Sequence, residues 1–303
     1  MTNSKNKTAA GFILTLLSGI LWGFSGSCGQ YIFANCGATS RWLVPVRLFI
    51  AGIILLSVCA VKNKSKVFAV WKGKKNITSM LLFSVFGLVM CQFSYFRAIE
   101  LSNAGIATVL QYLAPAMILV FMCLKNKKLP VLSEAVSIIL ATGGTFLIAT
   151  GGSLSSFAVS GEALFWGVVA AVFLVCYTLL PIPLFKVSDT PTVLGWGLTV
   201  GGIGLAFVFN PFESAPQISA KLILSVAAIV ILGTVIAYTF YLEGVRLIGA
   251  TKTSIVSSIE PVSATVISAL WLGSDFSLTD IIGMAMIIST IFIIGFSSKK
   301  KTE

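Results

Sequence analysis

The chain has 303 residues, of which 57% are hydrophobic and only 10% are charged, and its formal net charge is +11. A soluble domain has about 25% charged residues, and a soluble fold of this size could not remove so much apolar surface from water. The composition therefore excludes a soluble protein and favours a lipid bilayer. The absence of histidine also excludes any mechanism that needs a histidine base, metal ligand or proton relay.

Ten apolar windows are long enough, or nearly so, to cross the bilayer as helices, which takes about 20 residues each. In chain order they are Gly11–Phe33, Trp42–Val61, Ser79–Ala98, Ile106–Leu124, Leu132–Thr150, Leu164–Phe185, Val193–Phe209, Leu222–Leu242, Thr253–Leu272 and Ile281–Ser297. The first window is too long for the apolar part of a signal peptide, so we expect it to be retained. The sequence thus predicts an all-α polytopic membrane protein.

The distribution of lysine and arginine predicts which ends of the spans face the cytoplasm. With the N-terminus inside, the cytoplasmic segments hold all 21 basic residues except Arg41, Arg47, Arg97 and Lys221. An even number of spans then places both termini in the cytoplasm. We therefore interpret the positive charge as an orientation signal. We expect a protein of the cell membrane that has no nucleic-acid partner.

The second half of the chain resembles the first when the sequence is shifted by 146 residues. The shift aligns Tyr95 with Tyr241 and Pro115 with Pro261, and it keeps the order of spans and hairpins. Each copy holds five predicted spans, and because five is odd, the second copy enters the membrane upside down. Inverted repeats are typical of secondary transporters, which exchange two conformations of similar energy around a site at the midplane.

Four segments resemble the EamA-type branch of the drug/metabolite transporter superfamily. They are GILWGFSG (19–26), VRLFIAGIIL (46–55), AGIATVLQYLAPAMILV (104–120) and GATKTSIVSSIEPVSATVISALWLG (249–273). The resemblance implies ten helices around a central cavity and the transport of small metabolites such as amino acids.

The resemblance covers nearly the whole chain and supports a division into two five-helix units. On this basis we expect the first unit at residues 1–150 and the second, inverted unit at residues 151–303.

Glu260 is the only acidic residue deep inside a predicted span, about 10 Å from its start at helical rise. An ionised side chain at the bilayer centre costs at least about 2.5–3.5 kcal/mol, so it normally faces a cavity or a partner. Pro261 removes one backbone hydrogen bond and frees the carbonyl of Ser257. Gln111 and Pro115 take the corresponding places in the fourth span. We therefore expect a polar cavity here, with the two prolines at helix breaks or hinges.

Two interpretations of Glu260 stay open. Either it binds the substrate or a cation, and then it is able to carry a coupling proton, or it is a structural carboxyl kept protonated by burial. Arg47 differs in depth from Glu260 by roughly 10 Å, so a direct ion pair is marginal. Arg47 either attracts a substrate carboxylate or extends to the membrane surface as an anchor.

Other polar side chains within the spans either contact the substrate or pack one helix against another. Gln92 and Tyr95 share a helix face at i, i+3 spacing, and Tyr238 and Tyr241 repeat that spacing in the second half. Trp22 lies near the middle of the first span, away from the interfacial belt. The full set of expected cavity residues is Trp22, Arg47, Gln92, Tyr95, Gln111, Tyr112, Tyr177, Tyr238, Tyr241, Ser257 and Glu260.

These features predict a secondary transporter that moves a small metabolite by alternating access, with export as the expected direction. No GxxxxGK[ST] loop is present for nucleotide phosphates, and we expect neither a cofactor, a metal site nor enzymatic activity. Two alternatives stay open. A membrane-embedded enzyme would need clustered catalytic groups, and a non-transporting membrane subunit would ordinarily need larger loops.

Overall fold

The computed structural model describes residues 2–62, 67–153, 160–213, 215–272 and 277–300, and every regular element within them is helical. The helices are α1 (Thr2–Asn35), α2 (Ser40–Lys62), α3 (Lys74–Leu101), α4 (Ala104–Asn126), α5 (Leu132–Thr150), α6 (Gly161–Leu179), α7 (Thr190–Phe209), α8 (Ala220–Ile248), α9 (250–272) and α10 (Leu278–Lys300). Lys64, Lys66 and Lys301, which contribute to the predicted orientation, lie outside the described residues.

Nine of these helices are long and apolar enough to cross a membrane, counted over the described part of the chain. The exception is α9, which consists of two shorter helices, Ala250–Val256 and Ile259–Leu272. Large apolar side chains such as Ile139 and Phe207 are exposed on the outside of the bundle, as a surface in contact with lipid requires. The all-helical polytopic fold is confirmed, and the count of ten crossings stays a prediction.

The contacts between helices follow a two-fold pattern that relates the two halves. The four most extensive sets of contacts between helices join α2 to α7, α5 to α10, α1 to α8 and α3 to α6. Exchanging each helix for its counterpart in the other half turns the α2–α7 pair and the α5–α10 pair into themselves. The same exchange turns the α1–α8 pair into the α3–α6 pair. This pattern is the one expected of two copies of a five-helix unit.

Short polar side chains mark where several helices begin. The side chains of Asn103, Ser160, Asp189 and Ser219 accept hydrogen bonds of 2.9–3.2 Å from backbone N–H groups in the first turns of α4, α6, α7 and α8. Such caps satisfy donors that have no partner within the helix. Three of these four helices, α4, α6 and α8, carry residues that the sequence places at a polar cavity.

Two irregularities occur at corresponding places in both halves. A π-helical segment interrupts α3 at Phe83–Val89 and α8 at Ile231–Ile236. A turn breaks α4 at residues 112–113 and α9 at residues 257–258, close to the 146-residue shift. Because π segments and broken helices expose backbone groups and redirect side chains, these irregularities determine where the polar residues meet.

Candidate functional site

Glu260 lies in the first turn of the second helix of α9 and is buried, with 4% of its surface exposed. Two tyrosines of the first half contact its carboxylate oxygens. The Tyr95 hydroxyl donates to Oε1 over 3.1 Å, and the Tyr112 hydroxyl is 3.3 Å from Oε2. The Tyr112 hydroxyl donates its single hydrogen to the carbonyl of Ser257 over 2.7 Å, the carbonyl that loses its helical donor because Pro261 has no N–H.

Arg47 of α2 is buried as well, with 1% of its surface exposed. Its Nε and Nη2 donate to Thr234 Oγ1 over 3.2 Å and 2.8 Å, and its guanidinium carbon lies 4.5 Å from the centre of the Phe96 ring. Nη1 has no hydrogen-bond partner. The ion pairs found among the described residues do not include Arg47 or Glu260. The guanidinium is therefore enclosed in the bundle and does not extend to the membrane surface.

Side chains from both halves line a polar cavity beside Arg47 and Glu260. Its volume is about 30 Å³, which is room for one or two water molecules and too little for a metabolite. Eight residues that the sequence places at a cavity line it, namely Trp22, Arg47, Gln92, Tyr95, Gln111, Tyr177, Tyr238 and Glu260. The cavity brings together residues of α1, α2, α3, α4, α6, α8 and α9.

Three other residues expected at the cavity do not line it but contact residues that do. Tyr112 and Ser257 are hydrogen-bonded to each other beside the carboxylate of Glu260. The Tyr241 hydroxyl pairs with Thr178 Oγ1 at 2.9 Å, and its ring centre lies 4.9 Å from that of Trp22. These residues hold wall residues in place, and they are not themselves part of the wall.

The wall also contains residues that the sequence reasoning missed. They are Ser25, Gly26, Cys91, Phe96 and Leu174. Helical spacing would have found most of them, since Ser25 lies three residues after Trp22 and Phe96 lies four residues after Gln92. Thr234, which holds Arg47, does not line the cavity, and the sequence gave no signal for its role because its partner is 187 residues away.

Two glycines bring α1 against the break in α9. A Cβ atom at Gly19 would lie 2.7 Å from the carbonyl oxygen of Ser257, and one at Gly23 would lie 2.6 Å from that of Glu260. These distances are too short for any larger residue unless the backbone moves. The glycines of the GILWGFSG segment therefore allow α1 to form one side of the site, as small residues do between membrane helices.

A larger cavity, called the vestibule here, opens where α4 ends and α9 begins. Its volume is about 280 Å³, and its wall includes Leu119, Cys123, Gly249 and Lys252. A buried apolar cluster, called the apolar plug here, includes Leu119 as well as Ile255 and Val256, which directly precede the helix break before Glu260. Leu119 belongs to both the vestibule wall and this apolar plug.

An ion-pair network lies at the opposite end of the bundle. Arg97 of α3 pairs with Glu100 over 3.1 Å and with Glu162 of α6 over 2.8 Å. Ser40 at the start of α2 donates to Glu100 from both its backbone nitrogen and its hydroxyl. The Arg97–Glu162 pair joins the first half of the chain to the second.

Two five-helix halves with broken helices and an enclosed polar cavity are the architecture of a membrane transport protein. The chain belongs to the EamA-like transporter family, which matches residues 9–150 and 161–296. The resemblance drawn from the sequence is thereby confirmed. The protein is a multi-pass protein of the cell membrane and a transporter of small molecules.

Known relatives agree with this family. The chain is 35% identical over 296 residues to the uncharacterized inner membrane transporter YicL of Salmonella typhimurium, and the match covers 98% of each chain. It is 26% identical to the uncharacterized transporter YxxF of Bacillus subtilis, over 95% of this chain and 89% of that one. A crystal structure with 18% sequence identity superposes with a TM-score of 0.76 over 99% of both chains, which shows a common fold.

Proposed function

We propose that this protein is a secondary transporter that carries a small metabolite, an amino acid or a related compound, by alternating access, with export as its direction. The observation that carries the proposal is a buried carboxylate, Glu260, at a helix break in the wall of a cavity that both halves share. Broken helices in inverted repeats place substrate groups near the midplane, and the repeats supply two conformations of similar energy.

In this proposal the structure represents an occluded conformation. The apolar plug acts as the barrier toward the vestibule, and the Arg97–Glu162 pair joins the halves at the other end. A cavity of about 30 Å³ has to expand before it holds a metabolite. In the proposed cycle, each end opens in turn as one half moves against the other.

Flux through liposomes tests the proposed function. Purified protein is reconstituted into liposomes loaded with a panel of amino acids, amines, organic acids, nucleosides and sugars, and exchange of each labelled compound is followed with its chemical identity checked. We expect exchange of at least one unmodified compound, and none in liposomes without protein. A chemically altered product without flux would identify an enzyme, and the absence of both would identify a non-transporting subunit.

Replacing Glu260 by glutamine tests whether this carboxylate couples transport to protons. The amide keeps the size of the side chain but cannot release a proton, so we expect Glu260→Gln to lose accumulation driven by a pH gradient and to retain exchange down a solute gradient. The same acid-to-amide change at Glu213, in an exposed loop, is the control and should leave both activities intact. Unchanged accumulation at every pH would remove Glu260 from the coupling role.

A further inference from the structure

Unpartnered polar atoms are concentrated at the small cavity. Six buried side-chain nitrogen or oxygen atoms in the described residues have no hydrogen-bond partner, and three of them belong to cavity residues: Trp22 Nε1, Arg47 Nη1 and Gln92 Oε1. Buried polar groups are almost always satisfied in native proteins, so such exceptions call for a ligand or another specific reason. Two of the three atoms are donors, and one donor is permanently charged.

The geometry of Arg47 explains why Nη1 is the free atom. Thr234 Oγ1 donates its own hydrogen to the carbonyl of Ile229 over 2.9 Å, which leaves its lone pairs to accept from Nε and Nη2 of Arg47. The face of Phe96 covers the guanidinium plane at 4.5 Å. One edge of the guanidinium is thus fixed to α8, and Nη1 is left for the cavity.

We propose that Arg47 Nη1 and Trp22 Nε1 bind a carboxylate group of the substrate and that Thr234 is the residue that positions Arg47 for this contact. Two donors match the two oxygens of a carboxylate, and a charged donor gives the stronger kind of hydrogen bond. This inference rests on the proposed function, since it names a group that the carried solute must have.

The hydrogen-bond acceptors that line the same cavity indicate which second group the substrate carries. Glu260 and the free Oε1 of Gln92 both line the cavity and accept hydrogen bonds. A site with one guanidinium and one carboxylate is balanced by a solute that carries both an anionic and a cationic group. The substrate class is therefore a small zwitterion that carries both a carboxylate and an ammonium group.

The threonine that positions Arg47 has no counterpart in the other half of the molecule. At the shift of 146 residues, Thr234 corresponds to Leu88, whose side chain has no hydrogen-bonding group. The two π segments are shared by both halves, but the hydroxyl that holds the guanidinium occurs only in α8. The symmetric scaffold thus carries an asymmetric site, which gives the substrate a defined orientation.

Paired probes test the carboxylate contact in reconstituted protein. Each proteinogenic amino acid is compared with its carboxamide, which lacks the anionic group, and with its α-hydroxy acid, which lacks the ammonium group. We expect at least one amino acid to be exchanged, with a half-saturating concentration at least about tenfold lower than that of its amide. An amide that is exchanged as well as its parent acid would overturn the inference.

Variants of Thr234 test the positioning role. Thr234→Val should raise the half-saturating concentration of the amino acid about tenfold and leave the maximal rate and the handling of the amide nearly unchanged. Thr234→Ser keeps the hydroxyl and should restore wild-type behaviour. Thr239→Val is the matched control, because the Thr239 hydroxyl bonds only to the Val235 carbonyl of its own helix. If the Thr234→Val and Thr234→Ser variants had the same half-saturating concentration, the positioning role of the Thr234 hydroxyl would be contradicted.

The outcomes separate this inference from the proposed function. Exchange confined to compounds without a carboxylate would leave a transporter standing and overturn the inference alone. Exchange of no compound in the panel would overturn both. If Thr234→Val does not fold, as judged by size-exclusion profile and thermal unfolding, the comparison of acid and amide in the wild type still decides the carboxylate contact.

Discussion

Glu260 and Arg47 line the same cavity, and each is hydrogen-bonded to neutral hydroxyl groups. Removing a charge from water is costly unless it is hydrogen-bonded or paired. Two tyrosines beside Glu260 and one threonine beside Arg47 supply part of that compensation here. Because neutral partners do not cancel a charge, Arg47, and Glu260 when it is ionised, keep an electrostatic attraction for a substrate that carries the complementary groups.

The hydroxyl of Tyr95 should matter more to transport than that of Tyr241. Tyr95→Phe removes a donor to the buried carboxylate, a bond to a charged group worth about 1.5–3 kcal/mol, and we expect exchange to slow about tenfold or more. Tyr241→Phe removes only the neutral pair with Thr178 and serves as the matched control. Initial rates of exchange in liposomes measure the difference. Equal losses in the two variants would contradict the role given to Tyr95.

At the scale of single residues, the buried position of Glu260 could be predicted from the sequence, whereas the contacts around it could be predicted only in part. Glu260 could be identified because a lone carboxylate deep in an apolar span is costly and therefore normally faces a cavity or a partner. The supporting role of Tyr241 could not be predicted, because i, i+3 spacing places two tyrosines on one helix face without showing which of them reaches the cavity. Thr234 was missed because its effect depends on a guanidinium 187 residues away in sequence.

Helix breaks and close helix packing determine the shape of the site at the scale of elements. The break in α9 exposes the Ser257 carbonyl, and α1 approaches that break through Gly19 and Gly23. Small residues at such contacts let backbones approach closely, which is a main source of helix association in lipid. The site therefore depends on the fit of α1 against α9.

A methyl group at Gly23 should disturb this fit. Its Cβ would lie 2.6 Å from the Glu260 carbonyl oxygen and 2.8 Å from the Ala264 nitrogen, and both are backbone atoms that cannot rotate away. We expect Gly23→Ala to destabilise the protein by about 1–3 kcal/mol, as overpacking does, and to impair exchange. Thermal unfolding in detergent measures the loss.

Gly204→Ala is the matched control for that substitution. The Cβ position at Gly204 has no atom within 4 Å, so the added methyl group meets no neighbour. The unfolding temperature should stay that of the wild type. A Gly23→Ala protein as stable as the Gly204→Ala protein would show that α1 and α9 do not pack as closely as described.

Elements were predictable from the sequence to different degrees. The lengths of the apolar segments and the positions of the hairpins predicted the long helices. Pro115 and Pro261 indicated the two breaks because proline lacks the N–H that a helix needs. The π segments in α3 and α8 were not predicted. They contain no proline, and nothing in their apolar composition distinguishes them from the regular helix on either side.

Interactions of different kinds lie at the two ends of the molecule. The apolar plug shares Leu119 with the wall of the vestibule, and an ion pair between α3 and α6 joins the halves at the opposite end. An exposed ion pair contributes little, because water screens its charges. Such a pair biases the conformational equilibrium without locking it, which suits a protein that has to open at each end in turn.

Glu162→Gln should therefore shift this equilibrium modestly. It removes the pair between the halves and leaves the Arg97–Glu100 pair in place. Because the pair is exposed and screened, its loss should increase the open population at that end by at most about fivefold. The rate at which a thiol reagent added to that side modifies the cavity residue Cys91 measures the change. A slower rate would contradict this role, and Glu213→Gln is the control.

The central claim is that the polar cavity is exposed to the two sides of the membrane in turn. The most direct test uses a functional variant in which Cys91 is the only cysteine. A charged thiol reagent that does not cross the membrane is added to one face of sealed vesicles at a time. We predict that Cys91 is modified from either face and that a transported solute slows both reactions. Modification from only one face, or from neither face in vesicles that exchange solute, would show that this cavity is not the site that opens in turn to the two sides.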